Sequence, residues 1–67
     1  MNLTINGEQK AGFETGLTIA QLIERLDLPR GKIAVELNRA VVPKSQHGTQ
    51  RLAEGDILEI IHFIGGG

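Results

Sequence analysis

Leu3 and Ile5 alternate with Asn2, Thr4 and Asn6 at the start of the chain. A period of two is the mark of a half-buried strand. Asn6-Gly7 follows, and both residues tolerate positive φ, so the pattern predicts a tight hairpin. A return strand is expected over Lys10 to Glu14 with Ala11 and Phe13 inward, weakened by Gly12. At Thr18 the period changes. Ile19, Leu22, Ile23 and Leu26 stand at helical spacing and predict one apolar stripe. Thr18 fits the N-cap with Gln21 completing a capping box, while Ala20, Glu24, Arg25 and Asp27 point to solvent. Pro29 and Gly31 are expected to end the helix.

Beyond it Ile33, Val35 and Leu37 alternate with Ala34, Glu36 and Asn38, a second half-buried strand. A helix between two strands usually returns the chain parallel to a strand of the same sheet. Val41-Val42 predicts a short strand stopped by Pro43. Lys44 to Arg51 is polar, with one turn over Ser45 to His47 and Leu52 as a plug beneath the loop. Gly55-Asp56 predicts a turn into a last strand from Ile57. Hairpin, helix, strand, loop, strand is an α+β order. It is most simply buried as a mixed sheet of four to five strands with one helix across one face, a β-grasp layout.

The last strand carries apolar residues on both sides: Leu58, Ile60, His62 and Ile64 on one, Ile57, Glu59, Ile61 and Phe63 on the other. One helix covers one face of a sheet, and an unpaired Glu is almost never fully buried. Glu59 therefore assigns its own set to solvent, leaving Ile61 and Phe63 as an exposed docking surface beside Ile64. The competing arrangement is a bulge that puts Phe63 inside and His62 outside. Gly65, Gly66 and Gly67 follow. Consecutive glycines cost folding entropy and pack nothing, so they serve no core. They predict a flexible tail, residues 65–67, appended to a domain over residues 1–64. Such a thread can enter a narrow slot in a partner and present a terminal carboxylate. A frayed terminus is the plain alternative.

A chain of 67 residues without Cys has one modest core and neither disulfides nor thiolate metal ligands. Seven basic against eight acidic residues give a formal charge of −1, which argues against non-specific nucleic-acid binding. There is no signal-like or membrane-length apolar run, so a cytoplasmic, soluble monomer is expected. His47 and His62 with Asp56 or Glu54 fall short of a metal-ligand set, and so small a domain offers little room for a catalytic cleft. No catalytic or metal-binding residue is assigned. Arg39, Lys44 and Arg51 form either a basic strip for a partner or a solvated face. Glu36 and Asn38 are either functional or simply polar edge residues.

Taken together, the Asn6-Gly7-Glu8 turn, Thr18 with Leu22-Ile23 and Leu26, Val35-Glu36-Leu37-Asn38, Val42-Pro43-Lys44, Gly55-Asp56 and Ile64-Gly65-Gly66-Gly67 resemble the ThiS sulfur carriers of thiamine biosynthesis, which are ubiquitin-like proteins. The resemblance covers essentially the whole chain. One departure is His47, where many members carry Trp. The resemblance implies that an E1-like adenylyltransferase (ThiF) joins the Gly67 carboxylate to AMP. Sulfur, ultimately from cysteine through a donor such as a cysteine desulfurase, then gives a thiocarboxylate, and thiazole synthase (ThiG) accepts the sulfur. ATP and Mg²⁺ would be used by the activating enzyme, with no cofactor bound by this chain, which would be a co-substrate rather than an enzyme. Two rival readings remain: a carrier feeding molybdopterin, thionucleoside or amino-acid sulfur, and a ubiquitin-like module that is conjugated or binds a partner.

Overall fold

The computed structural model describes residues 1–28 and 32–63. Its elements run β1 (Leu3–Ile5), β2 (Glu8–Lys10), α1 (Ile19–Arg25), β3 (Lys32–Leu37), β4 (Ala40–Val42), a short 3₁₀ turn (Lys44–Gln46) and β5 (Ile57–Phe63). The strands form one five-stranded sheet in the order β2-β1-β5-β3-β4. β1 runs parallel to β5, and the other neighbouring pairs are antiparallel. Consequently β3 runs in the direction of β2, the strand before the helix. The crossover returns parallel, as expected, but lands beyond β1 and β5 instead of beside β2. This is the β-grasp.

Asn6 and Gly7 both adopt positive φ, 51° and 82°, and close the first hairpin with the register Ile5↔Glu8. A two-residue turn brings the chain straight back, so β2 occupies Glu8–Lys10 and not Lys10 to Glu14. Ala11 is exposed outside any strand, and Phe13 packs against the core from an irregular segment, its N–H bonded to the Met1 carbonyl at 3.3 Å. Asn6 has a second role. Its side-chain amide accepts from the Ile60 N–H at 2.7 Å and donates to the Ile60 carbonyl at 3.2 Å. The amide thus continues the β1–β5 ladder after the backbone has turned away.

The capping box is present. The Gln21 N–H donates to Thr18 Oγ1 at 3.2 Å, and the Thr18 N–H donates to Gln21 Oε1 at 2.9 Å. The helix ends at Arg25 with Leu26 as C-cap, before the proline; Asp27 follows at φ 51°. Its termination therefore rests on the turn at Asp27, and the expected stop signals Pro29 and Gly31 lie outside the described residues. Ile19 and Leu22 are fully buried, and Ile23 and Leu26 pack at the margin. They face Leu3, Ile5, Val35, Val42, Leu58 and Ile60 from the inner side of the sheet, with Leu17 and Leu52 closing the end. Leu52 is the expected plug: its N–H donates to the Leu17 carbonyl at 2.8 Å. The polar loop's turn lies over Lys44–Gln46, one residue earlier than expected.

A second two-residue turn joins β3 to β4 through Asn38 and Arg39, at φ 49° and 72°. Asn38 suits it, and Arg39 does not. A left-handed residue with a Cβ costs roughly 1–2 kcal/mol, partly matched by the roughly 0.5–1 kcal/mol of extra entropy that glycine loses on folding. Arg39→Gly is therefore expected to stabilise the domain by up to about 1 kcal/mol in urea unfolding. In the same assay Leu22→Ala, at a fully buried position, is expected to cost about 2–5 kcal/mol.

Candidate functional site

No helix among the described residues lies over the outer face of the sheet. β5 sends Leu58 and Ile60 into the core and leaves His62 half-buried, while Ile57, Glu59, Ile61 and Phe63 are exposed. The predicted division of the last strand holds, without a bulge. Among large apolar side chains, Ile57 is 51% exposed, Ile61 47%, Phe63 54% and Val41 72%. Register places these on one surface. Glu59 pairs with Glu36, Ile61 with Ala34 and Phe63 with Lys32, while Glu36 pairs on its other side with Val41 and Ile57 with Thr4. Directly paired residues project from the same face. The surface is therefore an apolar band of Ile57, Ile61, Phe63, Ala34 and Val41 around two glutamates.

Glu59, Ile61 and Phe63 are brought together as anticipated; Ile64 and Gly65 to Gly67 lie outside the described residues. β5 carries this exposed apolar face and ends at Phe63, the residue that precedes Ile64 and the glycines in the sequence. Val41, Ile57 and Ala34 extend the patch beyond the residues singled out from sequence. Alternation alone indicated that Ile57 and Ala34 point outward. Only strand pairing shows that Ala34 adjoins Ile61.

The other constellations come apart. His47 is buried at the end of the 3₁₀ turn, with Nε2 3.0 Å from the Val42 carbonyl and its own carbonyl accepting from Ala20 at 2.9 Å. It ties the polar loop to the helix and β4. His62 lies elsewhere, beside Ile5, Asn6, Leu26 and Leu28. The Asp56 carboxylate accepts from Asn38 Nδ2 at 3.1 Å and from the Ala53 N–H at 2.8 Å, and Glu54 Oε1 accepts from the Asn2 N–H at 3.0 Å. These are turn and hairpin supports. Among the described residues no three His, Cys, Asp or Glu side chains gather as a metal site.

Arg51 is engaged within the fold, donating from Nη1 to the Gly16 carbonyl at 2.9 Å. Asn38 also has a structural role. Its Oδ1 accepts from the Ile57 N–H at 3.0 Å, and its own N–H donates to the Ile57 carbonyl at 2.7 Å. It thereby fixes the start of β5. Glu36 has no comparable internal role; it faces outward opposite Glu59. No helix among the described residues is long and apolar enough to cross a membrane.

Comparison with known proteins agrees with this arrangement. The chain is 43% identical to a thiazole synthase of Paramagnetospirillum magneticum over 67 residues, spanning all of this chain but only 20% of that protein. It is 35% identical over 66 residues to the sulfur carrier protein ThiS of Bacillus subtilis, covering 97% of this chain and 98% of that one. Among solved structures, the thiamine biosynthesis protein ThiS of Geobacter metallireducens superposes with a TM-score of 0.85 at 30% identity, each chain covered in full. The model of the ThiS family matches residues 2–67. With sequence, fold and the strand leading to the glycines in agreement, this chain belongs to the ThiS family.

Proposed function

We propose that this protein is a sulfur carrier of thiamine biosynthesis, loaded and unloaded at the Gly67 carboxyl group by enzymes that grip the outer face of its sheet. The observation that carries this reading is the continuity of β5: one strand displays Ile57, Ile61 and Phe63 to solvent and leads into Ile64 and the glycines. Membership of the ThiS family supports it.

The proposed chemistry needs little from the chain itself. A carboxylate is a poor electrophile. Attack of its oxygen on the α-phosphorus of ATP, bound with Mg²⁺ by an E1-like adenylyltransferase, expels pyrophosphate and leaves an acyl-adenylate. A persulfide sulfur on a donor such as a cysteine desulfurase then displaces AMP to give an acyl disulfide. Attack of a thiol on the donor-side sulfur breaks the S–S bond, releasing the thiocarboxylate and leaving a disulfide between thiol and donor. Placing the carboxylate against the phosphate accounts for the docking face, since holding two reactants in register can be worth roughly 7–11 kcal/mol of barrier. Gly65, Gly66 and Gly67 carry no Cβ, so they can follow a channel that admits backbone alone. The protein acts as co-substrate, and the enzymes supply catalysis. The match to a thiazole synthase favours a ThiG-like enzyme as sulfur acceptor over acceptors of other pathways.

Incubation with the cognate adenylyltransferase, ATP, Mg²⁺ and a sulfur source is expected to exchange one oxygen for sulfur at Gly67, read by intact mass. An unchanged mass under conditions that load another carrier overturns the proposal. High-molecular-weight adducts in place of the thiocarboxylate would instead favour a conjugated ubiquitin-like module. Removing Gly66 and Gly67 is expected to abolish loading while leaving the unfolding midpoint unchanged, because glycine has no side chain to bury in a core. Ile61→Ala is expected to change stability by no more than about 0.5 kcal/mol, as for a surface position, while raising the KM for loading.

A further inference from the structure

Glu36 and Glu59 are direct cross-strand partners in the middle of the apolar face. Like charges opposed in this way destabilise a sheet. Among the described residues no ion pair engages either carboxylate. The salt bridge found there joins Arg25 to Glu14, on the helix side and away from this face. Lys32, the basic residue of β3, sits opposite Phe63 at the far end of the strand, four residues from Glu36 and about 13 Å along the chain at strand rise.

Position then forces a choice on any partner. Ile57 and Ile61 flank Glu59 two residues to either side on the same face, and Val41 and Ala34 flank Glu36. A surface that covers those apolar side chains also covers both carboxylates. A buried charge without a counter-charge is strongly unfavourable. The covering surface must therefore supply positive charge at one point within an otherwise apolar footprint. A guanidinium suits two adjacent carboxylates best: it is planar, weakly hydrated, permanently charged and presents five donors, whereas an ammonium is a compact, strongly hydrated point.

We propose that Glu36 and Glu59 together form the specificity element of the docking face, receiving an arginine side chain from the adenylyltransferase that loads the chain. The inference rests on the carrier reading and adds the chemistry of its partner. Opposed glutamates weaken the free sheet and strengthen the complex, so one substitution should move the two quantities in opposite directions. A role in solubility or folding would not separate them in this way.

The test is titration calorimetry of the wild-type chain and of E36Q/E59Q against the cognate adenylyltransferase, at about 50 mM and about 500 mM salt, which span weak to strong screening. Wild type is expected to bind more weakly at high salt. E36Q/E59Q is expected to bind at least about tenfold more weakly than wild type at low salt, with little salt dependence. Its melting temperature is expected to equal or exceed that of wild type. Glu59→Lys, in which an arginine meets a like charge, is expected to lose binding while still melting cooperatively. Equal affinity and equal salt dependence for wild type and E36Q/E59Q would overturn the proposal. If wild type takes up sulfur and E36Q/E59Q does so with the same KM, this inference alone fails. If wild type takes up none, the carrier reading fails first.

Discussion

A sheet has two faces, and this chain has one helix among its described residues. With so few residues the core must be built on one side only, from Ile19 and Leu22 against Leu3, Val35 and Leu58. The other side of the same strands is left bare. In β5, at the centre of the sheet, that asymmetry is sharpest because its residues are apolar on both sides: Leu58 and Ile60 inward, Ile57, Ile61 and Phe63 outward. Stability accounts for the inner set. The outer set contributes little to it, and a band of large apolar side chains in water is a feature of interaction surfaces.

The rest of the fold holds β5 in register. Asn6 extends the β1 ladder to Ile60 through its side chain, and Asn38 ties its own backbone and side chain to Ile57. Two asparagines at left-handed turn positions thus brace the strand from opposite neighbours. The polar loop, which shows no apolar period in sequence, closes the end of the core. His47 connects it to β4 and the helix, Leu52 fills the space beneath, and Arg51 reaches the Gly16 carbonyl. In this way the loop residues that looked chemically interesting serve architecture. The face that looked merely amphipathic holds the two glutamates that nothing in the fold accounts for.

Belonging to the ThiS family fits this division of labour. A small domain with one core, a bare apolar face and a glycine run are the features that the proposed carrier role would use. The proposed carrier role asks of the domain only that β5 be stiff and that its outer side chains be displayed at a fixed distance from the last residues.

Local pattern settled a good deal. The capping box at Thr18, the Asn6-Gly7 turn, the inward set Ile33, Val35 and Leu37 and the two faces of β5 all follow from rules that operate within a few residues, and all are found. Where the pattern misled, a neighbour intervened. β2 begins at Glu8 because the hairpin register is fixed by the turn, although its three residues are exposed and carry no apolar signal. No periodicity could reveal that Glu36 faces Glu59, since the two lie in strands whose adjacency is decided only when the sheet assembles. The sequence by itself determined which side of each strand is apolar, because side-chain alternation is a property of a single strand. Which residues share that side across strands was decided by tertiary pairing alone, because register is a relation between segments distant in the chain.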